Sequence, residues 1–144
     1  MEPAELLSLV FAALAAFAVG WLWYSPLLFG PVWMKEVLGH STVPKTMTKE
    51  QKKQMTKGIV VGGLLQILST YVLAHFLFVT SDGDLQHMYR EAMETVLWIW
   101  AGFCLPLNFS SFLWEGRSLK IALINASQTL VSLITAAVIL TAIL

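Results

Sequence analysis

Charge is scarce in this chain. Only 12% of its 144 residues are Asp, Glu, Lys or Arg, and the formal net charge is zero. A soluble domain carries about twice that charged share. No global field points to nucleic acid or to an acidic partner. Cysteine is nearly absent as well. Cys104 stands alone in an apolar run, which excludes an intrachain disulfide framework. No His, Cys or carboxylate set has metal-ligand spacing, so neither a metal nor another cofactor is expected. No Ser/His/Asp set or inward carboxylate pair shares one depth, so the chain does not read as an enzyme. The acidic start from Met1 to Glu5 lacks the basic region of a cleavable signal peptide, and the first apolar run reads as a retained span.

What fills the chain instead is apolar surface. Hydrophobic residues make up 57%, with six Trp and eight Phe, and the mean hydropathy is +0.70. Four runs of about 20 residues carry few charges, the length a helix needs to cross ~30 Å of hydrocarbon. They cover roughly 6–29, 58–79, 92–114 and 121–144. The expected fold is all-α: an integral membrane protein with a single four-helix transmembrane domain over 1–144 and a basic loop at 34–57.

Eight of the nine basic residues fall in two places. Lys35, Lys45, Lys49, Lys52, Lys53 and Lys57 lie between the first two runs, and Arg117 and Lys120 between the last two. Glu2, Glu5, Asp82, Asp84, Glu91 and Glu94 lie at the opposite ends. The positive-inside rule then places a multi-pass protein in the plasma (inner) membrane, with both termini outside and loop 34–57 cytoplasmic. Asp82-Gly83-Asp84 is too short a frame for a calcium loop. Lys49, Lys53 and Lys57 share a helix face that can meet anionic headgroups.

Small residues mark the expected helix contacts. Ala12, Ala16 and Gly20 line one face of the first helix, and Gly58 and Gly62 one face of the second. Pro26 withdraws the amide that would bond Leu22, so the first helix breaks at Ser25-Pro26. Gly30-Pro31 is a second break, Pro31–Leu38 a short interfacial helix, and Gly39 its stop. Thr48 and Gln51 form a capping box, from which one rod of about 45 Å can run unbroken through the second span. Pro106 kinks the third helix.

Two stretches carry a resemblance. Leu22-Trp23-Tyr24-Ser25-Pro26-Leu27-Leu28-Phe29-Gly30, with Trp33 downstream, is the first. Trp114-Glu115-Gly116-Arg117-Ser118-Leu119-Lys120, with Ile124-Asn125-Ala126, is the second. Together they resemble an uncharacterised prokaryotic membrane-protein family, domain of unknown function 1761. The resemblance spans nearly the whole chain and implies a small multi-span membrane protein, with no activity attached. A faint internal repeat also shows: Trp21-x-Trp23 before Pro26 parallels Trp98-x-Trp100 before Pro106.

Polar side chains inside apolar helices are costly unless they meet a partner, a ligand or water. Asn108, Ser111 and Glu115 line one face of the third helix, and Asn125, Gln128 and Ser132 one face of the fourth. Counted at ~1.5 Å per residue, Gln66, Asn108, Asn125 and Gln128 fall roughly 7–12 Å below the basic side. The expected site is therefore a polar pocket of Gln66, Asn108, Ser111, Glu115, Asn125 and Gln128 between the second, third and fourth helices. Trp21, Trp23, Tyr24, Ser25 and Arg117 are its expected rim or interface anchors. Glu115 has two options, to pair with Arg117 or Lys120, or to turn inward as a proton or cation group. Two functions stay open. One is a transporter- or channel-like solute-handling protein, which in four helices implies a homo-oligomer. The other is a structural or accessory subunit whose polar stripes and Gly/Ala faces mediate packing and oligomerisation. No nucleic-acid partner is expected.

Overall fold

The structure, a computed structural model, describes residues 3–39, 46–80 and 85–143. Glu2, Lys45, Asp82 and Asp84, which enter the charge argument, lie outside the described residues, as does loop 41–44. All regular structure among the described residues is helical. Helix α1 runs Pro3–Trp23, α2 Gly30–Leu38 and α3 Lys49–Thr80. Helix α4 covers Leu85–Ile99, a π-helical turn follows at Trp100–Cys104, and α5 covers Leu105–Trp114. Helix α6, Leu119–Ile143, completes the bundle. Four stretches are long and apolar enough to cross a bilayer: Glu5–Trp23, Lys49–Val79, His87–Trp114 and Leu119–Ile143.

Local chemistry explains each boundary. The Leu22 carbonyl, left without an amide donor by Pro26, accepts instead from the Ser25 amide at 3.1 Å and the Ser25 hydroxyl at 2.7 Å. Gly39 ends α2 in the left-handed region at φ 77°, its N–H bonded to the Lys35 carbonyl. The Thr48 capping box forms in both directions. The Thr48 amide donates to Gln51 Oε1 at 2.9 Å, and the Gln51 amide to Thr48 Oγ1 at 3.2 Å. From there α3 is one rod of 32 residues, about 48 Å at the usual rise. The π turn sits just before Pro106, with the Leu105 amide reaching back to the Trp100 carbonyl.

Helix α6 is the hub. It packs on α1, α2, α3, α4, the π turn and α5, most extensively on α1. The dense core lies toward one end of the bundle. Ala12 and Ala16 of α1, Leu73 and Leu77 of α3, Ala92 and Val96 of α4, and Ala136, Ala137 and Leu140 of α6 are all buried there. The alanines on α1 allow close backbone approach, and the Ser132 hydroxyl uses it to donate to the Ala16 carbonyl at 3.2 Å. Toward the other end α1 and α3 leave a cleft between them, with α2 and α6 as its further walls.

Candidate functional site

The cleft follows from the breaks in α1. The turn from Trp23 to Gly30 redirects the chain from α1 into α2. The Phe29 amide bonds the Trp23 carbonyl at 3.0 Å, and the Gly30 amide bonds the Ser25 carbonyl at 3.1 Å. Gly30 is buried, and an added Cβ would stand 2.4 Å from the Tyr24 carbonyl oxygen. The turn is therefore built for glycine. Trp23 and Phe29 pack with ring centroids 4.8 Å apart, Tyr24 and Trp33 edge to face at 5.7 Å.

The two resembling stretches meet on α6. The Trp23 indole donates to the Ile124 carbonyl at 3.1 Å, and the Tyr24 hydroxyl donates to Asn125 Oδ1 at 2.8 Å. The Ser118 hydroxyl donates to the Glu36 carboxylate, and Lys120 pairs with it at 3.6 Å. That hydrogen bond first, then Lys120 and Lys35, hold the Glu36 carboxyl below the usual carboxylate range against the opposing effect of desolvation. Helix α2 is thus tied at its start by a turn and in its last turns to the first turn of α6.

A second indole repeats the first. Trp100, from the π turn, donates to the Ala126 carbonyl at 2.8 Å. Trp23 and Trp100 are the equivalent positions of the faint internal repeat, and they meet α6 two residues apart. Trp21 and Trp98, their partners in the repeat, are both mostly exposed, at 74% and 78%. The two indoles therefore share a way of docking on α6.

The cleft has a volume of about 1080 Å³. Gln66 of α3 and Asn125 and Gln128 of α6 stand on its walls. Each is partly buried and uses part of its hydrogen-bonding capacity within the chain. Gln66 Nε2 donates to Thr70 at 3.4 Å, and Gln128 Nε2 donates to Ser132 at 2.8 Å. Gly20 makes room for Gln128, since a Cβ there would lie 3.0 Å from Nε2. Aromatic and thioether side chains complete the walls, among them Phe17, Trp33, Met34 and Met55.

The six residues expected to share a pocket divide into two groups. Gln66, Asn125 and Gln128 come together; Asn108, Ser111 and Glu115 lie elsewhere. Helix α5 packs on α6 and has no extended interface with α3, so its polar face never reaches the cleft. There Asn108 Nδ2 donates to the Cys104 carbonyl at 2.8 Å, and the Ser111 hydroxyl to the Asn108 carbonyl at 2.8 Å. Glu115 pairs with Arg117 at 3.1 Å on the exposed hairpin tip, so of its two options it takes the surface pair. The pocket expected between the second, third and fourth spans instead lies between α1, α2, α3 and α6.

Among the expected rim residues, Trp21 and Tyr24 line the cleft. Trp23 is an anchor on α6, Ser25 serves its own turn, and Arg117 holds Glu115. Ala12 and Ala16 pack as small residues. Gly62 meets only Phe17, at 3.6 Å, and Gly58 opens onto the cleft with nothing within 4 Å of a Cβ. Gly58 therefore contributes width to the cleft, and its face meets no other described helix. Glu36 and Ser118 were not signalled by the sequence. They are 82 positions apart, and only the tertiary placement of α2 against the start of α6 brings them together.

Comparison with known proteins yields one match. The family described as "Protein of unknown function (DUF1761)" matches over residues 7–141. No curated protein and no solved structure matches the chain.

Proposed function

We propose, for a chain that belongs to the DUF1761 family of proteins of unknown function, a role as a multi-pass membrane protein that takes a small solute into the α1–α2–α3–α6 cleft. The observation that carries this reading is the cleft itself, with three amides on its walls that retain hydrogen-bonding capacity. Amides buried as packing glue close on one another; these face about 1080 Å³ of open volume. The irregular backbone at Trp23–Gly30 is of the kind that transporters place beside their binding sites.

The basic residues set the orientation in this reading. Lys49, Lys53 and Lys57 lie exposed on the first turns of α3, at the end of the bundle where the cleft opens. That end faces the cytoplasm and anionic headgroups, with both termini outside. Passage of a solute through so thin a bundle needs a further copy to complete the wall, so the reading includes a homo-oligomer.

Cysteine accessibility tests it. In a Cys104→Ser background, a cysteine at Gln128 or Asn125 reacts with a membrane-impermeant thiol reagent supplied from the cytoplasmic side and not from outside. Unreactive cysteines at both positions remove the wet cleft and leave the accessory-subunit reading.

A further inference from the structure

We infer that the cleft is selective for uncharged molecules that carry a hydroxyl or amide group on an apolar body; this rests on the solute-binding reading above. The first observation is charge. Among the described residues, no Asp, Glu, Lys, Arg or His lines the cleft. The nearest carboxylate on α2, Glu36, is engaged by Ser118 and Lys120, and Glu115 by Arg117. An ion entering the cleft would leave water without a counter-ion, which is costly in a low-dielectric site.

The second observation is the placing of the polar groups. Along α3 the lining residues recur on one stripe, from Gln51 through Met55, Gly58 and Gly62 to Gln66. From Gly58 to Gln66 the stripe descends about 12 Å at the helical rise. Gln66 stands at the deep end of this stripe, and Gln128 and Asn125 stand on the α6 wall, Gln128 beside Gly20 and Asn125 bonded to Tyr24. Around these amides the walls are largely apolar, with Phe17, Ile59, Trp21 and the two bare glycines among the lining residues. A molecule that matches sets a hydrogen-bonding group against an amide and its apolar body against these walls.

The third observation is the chemistry left open on the amides. Asn125 Oδ1 accepts from Tyr24, and its Nδ2 has no partner among the described residues. Gln66 and Gln128 each donate once through Nε2, and each keeps its Oε1. The cleft walls therefore present both a donor and acceptors. A hydroxyl or amide satisfies both kinds at once, whereas a carboxylate offers only acceptors and an ammonium only donors.

The test uses the full chain purified in detergent and three probes that share one body: 2-phenylethanol, phenylacetate and phenethylammonium. Binding is read by calorimetry and by thermal shift. The expected result is binding of the alcohol at least about tenfold tighter than of either ion, and a loss of about tenfold in Gln128→Leu and in Asn125→Leu, the size of one well-made buried hydrogen bond to a ligand. Ser127→Ala, at an exposed position of α6 that does not line the cleft, leaves the alcohol's affinity unchanged. A further arm compares 2-phenylethanol with 1-dodecanol. Preference for the long chain assigns the bilayer as the source of the ligand, and preference for the short one assigns the cytosol; either agrees with the class.

Equal or tighter binding of phenylacetate or phenethylammonium overturns the uncharged class and leaves the cleft standing. No binding by any probe, with a cysteine at Gln128 still reactive, overturns the class as well. No binding together with an unreactive cysteine removes the cleft and both readings with it.

Discussion

Replacing Gly30 by alanine isolates the turn that builds the cleft. An added Cβ would lie 2.4 Å from the Tyr24 carbonyl oxygen, 2.6 Å from the Ser25 carbonyl oxygen and 2.8 Å from the Ser25 carbonyl carbon. All three are main-chain atoms, so no side-chain rotation relieves the clash. Relief requires α2 to swing away from α1. That movement breaks the bond from the Gly30 amide to Ser25 and draws Trp33 off Tyr24. Overpacking costs about 1–3 kcal/mol where neighbours can adjust; with rigid backbone on three sides the upper end, about 3 kcal/mol, is expected. Gly58→Ala is the matched control. A Cβ at Gly58 meets nothing within 4 Å, so helix propensity alone acts and stabilises by about 1 kcal/mol. The same methyl group thus shifts stability in opposite directions at two positions, a separation of about 4 kcal/mol between values set by overpacking and by propensity. Denaturant unfolding of the detergent-solubilised full chain, followed by tryptophan emission, measures both variants. Gly30→Ala unfolding at the native midpoint, or moving in the same direction as Gly58→Ala, would refute the account of the turn.

Tyr24→Phe and Asn125→Leu remove the two ends of one interhelical bond, so a double-mutant cycle on unfolding free energy is expected to show coupling of about 0.6 kcal/mol, and below about 1.7; independent effects would show that the bond contributes nothing. Glu36 gives a pH dependence. Its folded carboxyl is held below the usual range, so its contribution to α2 docking is present above that range and fades as pH falls through the lowered folded value. Stability followed down through the carboxylate range should fall for the native chain more than for Glu36→Gln, and Ser118→Ala should narrow the gap between them. Gly20→Ala pushes only on the tip of Gln128, so it should leave stability within about 1 kcal/mol of native, the clash offsetting the propensity gain. Its effect should appear as weaker binding of 2-phenylethanol, and unchanged binding would show that Gln128 does not need that space. Thr48→Ala breaks the capping box and should cost about 1 kcal/mol, with loss of helicity in the first turns of α3 on circular dichroism.

Features set by neighbours in sequence were legible before any coordinates. Apolar runs of about 20 residues with few charges marked four spans, and the four stretches suited to crossing a bilayer correspond. Proline and glycine marked the break after Trp23, the short helix at Gly30–Leu38 and its stop at Gly39. Thr48 and Gln51 marked the start of a continuous α3. What sequence could not supply was which face of one helix meets which other helix. Periodicity groups Asn108 with Ser111 as readily as Asn125 with Gln128. It does not say that α5 rests on α6 away from α3. Depth counting, at a fixed rise per residue, also groups Gln66, Asn125 and Gln128, and all three line one cleft. Azimuth has no such rule. The bond from Ser118 to Glu36 and the two indole bonds to α6 depend on azimuth, as does the role of Gly58 in widening the cleft.

Helix α6 touches every other described helix, yet it is translated after all of them. While a ribosome works through the first hundred or so positions, α1 has not met the carbonyls that its indole requires, nor has Asn125 been made for Tyr24. Until α6 emerges the earlier helices therefore lack these bonds, and the assembly closes around it. A stop codon or frameshift within α6 should abolish the whole architecture and leave no trimmed version of it, and such products are the natural targets of membrane quality-control proteases.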